Sequence, residues 1–438
     1  MSSTRPSMMN CDPADPASVF FDALETRDPA ERERALMAAL PATVRAFQGT
    51  PAGASLLAGV DADGVASREA LATLPVLRKH TLMTRQHEAQ AGGGDPLGGF
   101  AAAGWRALGR ARQARRVYQS PGPIYEVEGL GCNPWNSARA FWAAGFRAGD
   151  LVHNSFSYHL TPGGWIMESG AQAIGCTTFP GGVGNTEMQL QAAQHLQPDG
   201  YAGTPSFLRI LVEKAAESGI ALGRLKKALV SGEAFPPSLR DWLLERGIAG
   251  YQAYATADCG VIAYETEARQ GLVVEEGVLV EIVRPGTGDP LPEGEVGEVV
   301  VTVLSADTPL VRFGTGDLSA VLPGPCPSGR SNLRLRGWLG RADQTTKMRG
   351  MFVHPEQVAA VLKRHPTLLK ARLVVSGEMA QDEVSFHAET ASPDAEGLAA
   401  AVAASVRELT KLRAEIALVA PGALPNDGKV IEDRRSHA

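Results

Sequence analysis

The chain has 438 residues, which suggests two or three domains because a single hydrophobic core rarely grows so large. Its 44% hydrophobic and 21% charged residues are ordinary for a soluble globular protein, and a net charge of −6 without a basic run gives no reason to expect a nucleic-acid partner. The five cysteines are scattered, with neither the density of a disulfide scaffold nor the spacing of a zinc site, which favours a reducing cytoplasm.

The first part of the chain predicts no targeting or membrane segment. Residues 1–15 are rich in Ser, Pro and Asp and lack the apolar core of a signal peptide. No uninterrupted apolar run reaches the roughly 20 residues that a membrane span needs, so we expect no membrane partner. Residues 16–90 alternate amphipathic stretches, such as 30–47, with polar breaks, and predict a helical lead-in that ends in a glycine-rich break at 91–96.

The middle of the chain alternates short apolar runs with helical patterns. Strands are expected at residues 151–156, 174–179 and 228–230, and helices at 207–217 and 237–246. This alternation predicts an α/β fold with a doubly wound, largely parallel sheet.

The character of the sequence changes after Gly271. Two β-branched runs, 278–283 and 298–304, flank a turn-rich segment at 285–290, which indicates a small antiparallel sheet or barrel. The last part predicts a small α+β unit with helices at 356–365 and 395–412 and strands at 372–375, 383–388 and 416–419. The expected domains are a large one at 1–342 (lead-in 1–90, α/β core 91–270, β-rich part 271–342) and a small one at 343–438.

Three short motifs in the last third of the chain carry the functional signal. Asp317 follows Gly314-Thr315-Gly316, and a carboxylate in such a turn suits a ribose diol because two acceptor oxygens receive both hydroxyls. Arg341 follows Gly340, and Lys429 follows Gly428 near the end of the chain. Asp317 and Lys429 each have a plain alternative, since Gly and Asp are ordinary turn residues and a terminal lysine is commonly solvated.

Taken together with segments 74–79, 184–187, 204–206, 231–234 and 254–258, these motifs make nearly the whole chain resemble the adenylate-forming superfamily, most closely its phenylacetate–CoA ligase branch. The resemblance implies activation of a carboxylic acid with ATP and Mg²⁺ to an acyl-adenylate, followed by transfer of the acyl group to coenzyme A. It also implies a large N-terminal domain and a small mobile C-terminal α+β domain.

The resemblance assigns roles to five residues of the last third. Asp317 would bind the ribose, and Arg341 would donate to ribose or phosphate oxygens. Asp343 matches the hinge between the two domains, or is an exposed loop carboxylate. Lys429 would bridge the substrate carboxylate and the α-phosphate during adenylation. Lys347 matches a position near the CoA-facing surface, or is a surface charge.

A second group of expected nucleotide contacts lies in the α/β core. Residues 254–258 replace the family's Tyr-Gly-x-Ser/Thr-Glu: the ring of Tyr254 would lie near adenine, and Asp258 would hold Mg²⁺. Here Ala255 and Ala257 replace the glycine and the hydroxyl, and Thr256 sits one residue early. The adenine-facing loop is matched, with an offset, by Ser231, Gly232 and Glu233, or is a plain loop at a strand end.

The segment 119–126 departs most from the family, which has a Ser/Thr/Gly loop around the β- and γ-phosphates. Pro121 and Pro123 lack N–H donors, and Glu126 adds negative charge. We therefore expect AMP to bind at least as tightly as ATP.

The acid pocket is expected at aromatic residues and glycines of the segment 155–165, because aromatic walls and close-approaching backbone suit a flat apolar acid. The alternative is that these aromatic residues belong to the buried core. His159 would polarise the carboxylate of the acid; its alternative is a hydrogen-bonded histidine of the core. The predicted pocket residues are Phe156, Tyr158, His159, Gly163, Gly164 and Trp165.

The expected function is an acid–CoA ligase that uses ATP, Mg²⁺ and coenzyme A on an aromatic or other apolar carboxylic acid. Two alternatives stay open: a nucleotide- or acyl-adenylate-binding homologue with little ligase activity, and an adenylating ligase that uses another acceptor. A homodimer is expected from the resemblance alone.

Overall fold

The chain divides into two units, Met1–Leu339 and Gly340–Ala438. The computed structural model describes residues 15, 17–104, 114–120, 122–342, 346–348, 351–353, 355–377, 382–425 and 430–435. Whether the two units act as separate functional domains stays a prediction.

The helices of the described residues are α1 (Pro29–Gln48), α2 (Pro51–Leu56), α3 (Arg68–Ala72), α4 (Lys79–Ala91), α5 (Ala138–Ala143), α6 (Gly163–Ala173), α7 (Thr186–Leu196), α8 (Pro205–Glu217), α9 (Pro237–Glu245), α10 (Pro355–Arg364) and α11 (Leu398–Thr410). The strands are β1 (Leu77–Arg78), β2 (Arg116–Ser120), β3 (Ile124–Glu128), β4 (Leu151–Asn154), β5 (Thr177–Pro180), β6 (Gly200–Gly203), β7 (Lys227–Val230), β8 (Ala249–Thr256), β9 (Gly260–Glu265), β10 (Leu272–Val274), β11 (Val278–Val283), β12 (Gly297–Val303), β13 (Leu310–Ser319), β14 (Val321–Leu322), β15 (Arg334–Leu335), β16 (Thr346–Met348), β17 (Met351–Val353), β18 (Leu368–Ser376), β19 (Glu383–Thr390), β20 (Glu415–Val419) and β21 (Ile431–Asp433).

A nine-stranded sheet forms the centre of the first unit, in the order β14-β15-β10-β9-β8-β7-β6-β4-β5. Strands β5, β4, β6, β7 and β8 run parallel, as the strand–helix alternation predicts. The remaining strands are antiparallel, because β9 returns directly from β8 through a tight turn. The α/β fold class is therefore confirmed.

A four-stranded sheet in the order β1-β13-β12-β11 accounts for the β-branched runs. The segment after Gly271 is less separate than expected, because β10, β14 and β15 join the nine-stranded sheet. The lead-in also contributes a strand, since β1 pairs in parallel with β13. The turn expected around Asp317 is wrong: Asp317 lies inside β13, where the pairing with β12 shifts register and Gly316 adopts a φ of +73°.

Charged residues anchor the helical lead-in to the first unit. The 3₁₀ segment Ala23–Thr26 buries Glu25, whose carboxylate accepts from Arg330 Nε at 2.6 Å and Tyr264 OH at 2.7 Å. Helix α1 begins after Asp28, which caps it, and its buried Arg32 is paired with Glu276 at 3.0 Å.

The second unit contains a sheet in the order β20-β19-β18-β21 with its own apolar core. Both predicted helices are present there as α10 and α11, which contribute Val358, Val361, Val402 and Val406 to that core. In the described part of the chain, no helix is long and apolar enough to cross a bilayer.

Candidate active site

The candidate site residues of the first unit lie mostly at one edge of the nine-stranded sheet. Strands β4 to β8 are parallel, so their carboxyl ends meet at the same edge. The segments that follow them include residues 155–159, 181–183, 204–206, 231–233 and 257–258. The crevice outside these ends is where open α/β sheets bind ligands.

A cavity of about 520 Å³ lies beyond the ends of β4 and β5. Three predicted pocket residues, Tyr158, His159 and Trp165, line it. Its other lining residues are Ser157, Glu168, Pro180, Gly181, Gly182 and Val183.

Three other predicted pocket residues, Phe156, Gly163 and Gly164, do not line the cavity. Phe156 packs against the core, and Gly163 begins helix α6. Gly164 supports the wall, because its N–H donates to Ser157 O at 2.8 Å and a Cβ there would lie 2.9 Å from the Tyr158 ring. Only a glycine allows helix α6 to approach that ring so closely.

The aromatic wall of the cavity is held by polar contacts. Tyr158 and Trp165 meet edge to face at 5.0 Å, and the Arg116 guanidinium stacks 3.8 Å above the Trp165 ring. The Tyr158 hydroxyl accepts from Asn154 Nδ2 at 2.7 Å and donates to Glu168 Oε2 at 2.8 Å. Burial and the Glu168 carboxylate hold the pKa of Tyr158 well above its usual value, so the hydroxyl keeps its proton.

Glu168 and Asn154 were missed from sequence. Glu168 follows Trp165 by one helical turn on α6, so helical spacing predicts that they share a face. Asn154 is the last residue of β4, and no sequence pattern indicated that it contacts Tyr158.

The buried histidine of this region is His153, and the predicted His159 is exposed. His153 Nε2 lies 2.7 Å from Gln189 Oε1, and burial lowers the pKa of His153, which favours the neutral imidazole. A Cβ at Gly181 would lie 2.7 Å from both of these atoms. His153 and Gln189 therefore support the glycine segment of the cavity from behind, and sequence reasoning missed both.

Asp317, the ribose candidate, is buried to 8% exposure between two aromatic donors. The Tyr254 hydroxyl donates to Asp317 Oδ2 at 2.8 Å, and the Trp338 indole N–H donates to Oδ1 at 3.0 Å. Burial and the Asp317 carboxylate hold the pKa of Tyr254 well above its usual value. The structure brings the two candidates Tyr254 and Asp317 into contact, and adds Trp338, which sequence reasoning missed.

The remaining predicted nucleotide residues follow β7 and end β8. Ser231 is buried, Gly232 has a φ of +81°, and exposed Glu233 accepts from Ser206 Oγ at 2.5 Å. Ala255 lies on β8, and the Thr256 hydroxyl accepts from Cys259 N at 3.0 Å. Thr256 therefore stabilises the turn into β9.

Asp258, the metal candidate, is part of a charged cluster that we call the Lys79 cluster: Lys79, Ser120, Glu126 and Asp258. Lys79 Nζ lies 2.8 Å from Asp258 Oδ2, and Ser120 Oγ donates to Glu126 Oε1 at 2.6 Å. The segment 119–126 is not a loop throughout, since Ser120 ends β2 and Glu126 lies on the paired strand β3.

Two carboxylates of the Lys79 cluster share a buried environment. Burial and the negative charge of Asp258 raise the pKa of Glu126 to about 8, against the opposing effects of Lys79 and Ser120. Partial burial lowers the pKa of Lys79, but the carboxylates of Asp258 and Glu126 more than compensate and raise it overall. Among the described residues, neither Glu126 Oε2 nor Asp258 Oδ1 has a hydrogen-bond partner. The free oxygen of Asp258 suits Mg²⁺, which binds oxygen ligands and is held in proteins by one or two carboxylates together with substrate phosphates.

The other predicted catalytic residues belong to the second unit or lie outside the described residues. Arg341 is half-buried. Lys347 lies on β16, and its side chain is outside the described part. Asp343 and Lys429 also lie outside the described residues, so the hinge and the adenylation lysine stay predictions.

Comparison with known proteins decides the family. Residues 139–303 match the model of the AMP-binding enzymes. The phenylacetate–coenzyme A ligase of Thermus thermophilus is 33% identical over 352 residues, which cover 77% of this chain and 76% of that protein. The chain belongs to the phenylacetate–CoA ligase branch of the adenylate-forming superfamily. The phenylacetate–coenzyme A ligase of Pseudomonas putida is 34% identical over 270 residues, 59% of this chain and 60% of that protein.

A solved structure shows the same fold over nearly the whole chain. A 2-hydroxyisobutyryl-CoA ligase in complex with 2-HIB-AMP and CoA superimposes with a TM-score of 0.78 at 25% identity, covering 96% of this chain and 93% of that one. Family membership confirms the predicted reaction class, ATP-dependent activation of a carboxylic acid and transfer to coenzyme A. It also confirms the predicted cofactors, ATP, Mg²⁺ and coenzyme A.

Proposed function

We propose that this acid–CoA ligase acts on an aromatic or similarly flat apolar carboxylic acid, which binds in the cavity beside Tyr158 and Trp165. The observation that carries the proposal is this cavity of about 520 Å³ at the carboxyl ends of β4 and β5, with aromatic walls and a glycine edge at Gly181 and Gly182. Glu168 lines it, but its Oε2 already accepts from Tyr158, which leaves the neighbouring aromatic surface to an apolar ring.

In the first half-reaction, a carboxylate oxygen of the acid attacks the α-phosphorus of ATP, and pyrophosphate leaves with the electrons of the broken P–O bond. Asp317 binds the ribose, Tyr254 orients the Asp317 carboxylate, and the loop of Ser231, Gly232 and Glu233 faces the adenine. Asp258 would hold Mg²⁺, which would neutralise phosphate charge there when bound. Lys429 bridges the acid and the α-phosphate.

In the second half-reaction, the sulfur of coenzyme A, after losing its proton, attacks the acyl carbon, and AMP leaves. Rotation of the small domain about Asp343 brings Lys347 toward coenzyme A, while Arg341 stays with the nucleotide. We also propose that the enzyme works in the cytoplasm as a homodimer, which rests on cysteine usage and on the resemblance alone.

A second candidate, a nucleotide- or acyl-adenylate-binding homologue with little ligase activity, is favoured by two changes from the family's sequence. Glu126 places a second carboxylate beside Asp258, where the family has phosphate-binding donors, and Ala257 lacks the usual hydroxyl. Both changes weaken the binding of triphosphate.

Pyrophosphate exchange separates these candidates. Purified enzyme is assayed with ATP, Mg²⁺ and phenylacetate, benzoate, hexanoate or acetate, with and without coenzyme A. We expect exchange with the aromatic acids without coenzyme A, and thioester formation only when it is added. The Lys429→Ala variant is the matched control and should lose on the order of 10²–10³-fold in exchange rate.

Three results would change the assignment. No exchange with any acid, together with tight AMP binding, supports the binding homologue. Exchange followed by release of acyl-adenylate without thioester points to another acceptor. Equal rates with acetate and phenylacetate contradict the role of the aromatic cavity.

A further inference from the structure

The indole of Trp338 covers the carboxylate that is expected to bind ribose. Both oxygens of Asp317 already accept from side chains, Oδ1 from Trp338 Nε1 at 3.0 Å and Oδ2 from Tyr254 OH at 2.8 Å. In the part of the chain that the structure describes, the space among Tyr254, Asp317, Leu318 and Trp338 does not admit a water-sized sphere. A ribose diol therefore has no room beside Asp317 in this arrangement.

The two donors differ in how easily they move. Tyr254 lies on β8 and packs against the buried core. Trp338 is 40% exposed, so its ring has solvent on one side. The backbone around it is anchored, because Ser319 Oγ donates to Gly337 O at 2.7 Å and Leu339 N donates to Leu318 O at 2.9 Å. Rotation of the Trp338 side chain, with the strand pairing kept, is thus the change that uncovers Asp317.

We propose that Trp338 is a competitive cover of the nucleotide site, and that a ribose hydroxyl replaces its indole N–H on Asp317 when a nucleotide with a free ribose diol binds. This inference rests on the proposed role of Asp317. The ligand that displaces the indole is a nucleotide with an intact 2′,3′-diol, because only a diol replaces the hydrogen bond that Asp317 Oδ1 loses. The bond between Trp338 and Asp317 therefore competes with the diol and lowers the affinity for nucleotides that carry it, whereas a nucleotide without the diol leaves the bond in place.

The test compares AMP with 2′,3′-dideoxy-AMP by calorimetry on wild-type enzyme, Trp338→Phe and a matched control, Trp242→Phe. The phenylalanine keeps an aromatic ring but has no N–H to donate to Asp317. Trp242 lies on α9, and the Arg246 guanidinium stacks 3.8 Å above its ring. We expect Trp338→Phe to bind AMP about tenfold more tightly than wild type, since a hydrogen bond to a charged group has been removed from the competing state.

The difference between wild type and Trp338→Phe should be small for dideoxy-AMP, within about twofold, since that ligand makes no bond to Asp317. Trp242→Phe should bind both ligands like wild type. Intrinsic fluorescence supplies a second readout: AMP should change the emission of wild type and of Trp242→Phe, and leave that of Trp338→Phe nearly unchanged.

Weaker AMP binding by Trp338→Phe would overturn the proposal and make Trp338 a direct nucleotide contact. Unchanged AMP affinity would overturn it too. The Asp317→Ala variant separates these failures from a failure of the proposed function. If Asp317→Ala weakens AMP and Trp338→Phe has no effect, only the cover is wrong. If Asp317→Ala binds AMP like wild type, the ribose assignment itself fails.

Discussion

Two groups of buried charges in the first unit contain carboxylates in opposite states. Beneath the lead-in, Glu25 uses both oxygens: Oε1 accepts from Arg330 and Tyr264, and Oε2 accepts from Phe21 N at 2.5 Å. In the Lys79 cluster, Asp258 Oδ1 and Glu126 Oε2 have no hydrogen-bond partner among the described residues. The first group resembles a structural anchor, and the second a site prepared for a ligand.

The difference shows how the two groups handle the penalty of burying charge. Removing a charge from water is unfavourable unless partners replace the lost hydration. Glu25 has those partners within the chain. The Lys79 cluster instead has one lysine for two carboxylates, and Glu126 responds with a pKa raised to about 8 by burial and by Asp258. A cation or a proton can supply what the chain does not, which makes this cluster sensitive to Mg²⁺ and to pH.

The largest expected effect is a loss of stability when the buried carboxylate of Glu25 is replaced. Glu25→Gln removes the charge that pairs with Arg330, whose side chain is fully buried, and should lower the free energy of unfolding by roughly 3–5 kcal/mol. Urea denaturation measures it. The control is Glu267→Gln, which removes a half-exposed partner 3.5 Å from the same arginine and should cost about 1 kcal/mol or less. Equal losses in the two variants would contradict the structural role of Glu25.

The next effect concerns phosphate binding near the Lys79 cluster. At pH 8.5 to 9, where Glu126 is largely charged, Glu126→Gln should strengthen ATP relative to AMP by on the order of 1–2 kcal/mol, because a like charge near the phosphates is removed. At pH 6 wild-type Glu126 holds a proton, so the two proteins should have similar ATP-to-AMP ratios. A ratio unaffected by the substitution at both pH values would place the phosphates elsewhere. Calorimetry with both nucleotides at each pH provides the measurement.

The next effect is that of Glu126 on how the free energy of unfolding depends on pH. The folded pKa of Glu126 lies above the ordinary value of 4.5, so between about pH 4.5 and 8 the native state binds more protons than the unfolded chain. The stability that Glu126 contributes by holding this proton in the native state is fully present below pH 4.5. It is lost as the pH rises through 8. Glu126→Gln should therefore match wild type near pH 5 and be more stable than wild type at pH 9, where Glu126 carries its buried charge.

Urea denaturation of wild type and Glu126→Gln across this pH range tests the sign. The control is Glu295→Gln, at an exposed position, which should follow wild type throughout. A stability difference that shrinks as the pH rises would show that the pKa of Glu126 is not raised in the folded protein.

The smallest expected effect is that of Lys79→Met. The lysine side chain is 40% exposed, so water screens its pair with Asp258, and Glu126 can take up a proton to relieve the remaining repulsion. We expect a loss of about 1 kcal/mol or less at pH 7, well below that of Glu25→Gln. A loss as large as that of Glu25→Gln would mean that the Lys79 cluster is a structural anchor after all.

The elements with a clear local pattern were predicted well. The β-branched run 278–283 is strand β11 with the expected bounds, and the amphipathic stretch 207–217 is most of α8, which begins two residues earlier at Pro205. Local patterns succeed here because side-chain period and chain breaks depend on neighbouring residues. The turn expected at Asp317 failed because Gly and Asp also occur at a β-bulge, and only the partner strand β12 distinguishes the two.

The site was predictable in part. Helical spacing links Trp165 to Glu168, but His153 and Gln189 come together only through the packing of β4 against α7. Tyr254 and Asp317 were each suspected from motifs. Nothing in the sequence predicted that Trp338, in an ordinary polar and glycine-rich stretch, donates to the same carboxylate.

The sequence by itself determined the family, the reaction class and the order of most strands and helices, because these follow from short motifs and from local hydrophobic period. Only the tertiary structure decided which charges are paired. Lys79 meets Asp258 across 179 residues of chain, and Arg330 meets Glu25 across 305. Such contacts depend on how sheets and helices pack together, and whether a buried carboxylate finds a partner there separates an anchor from a ligand site.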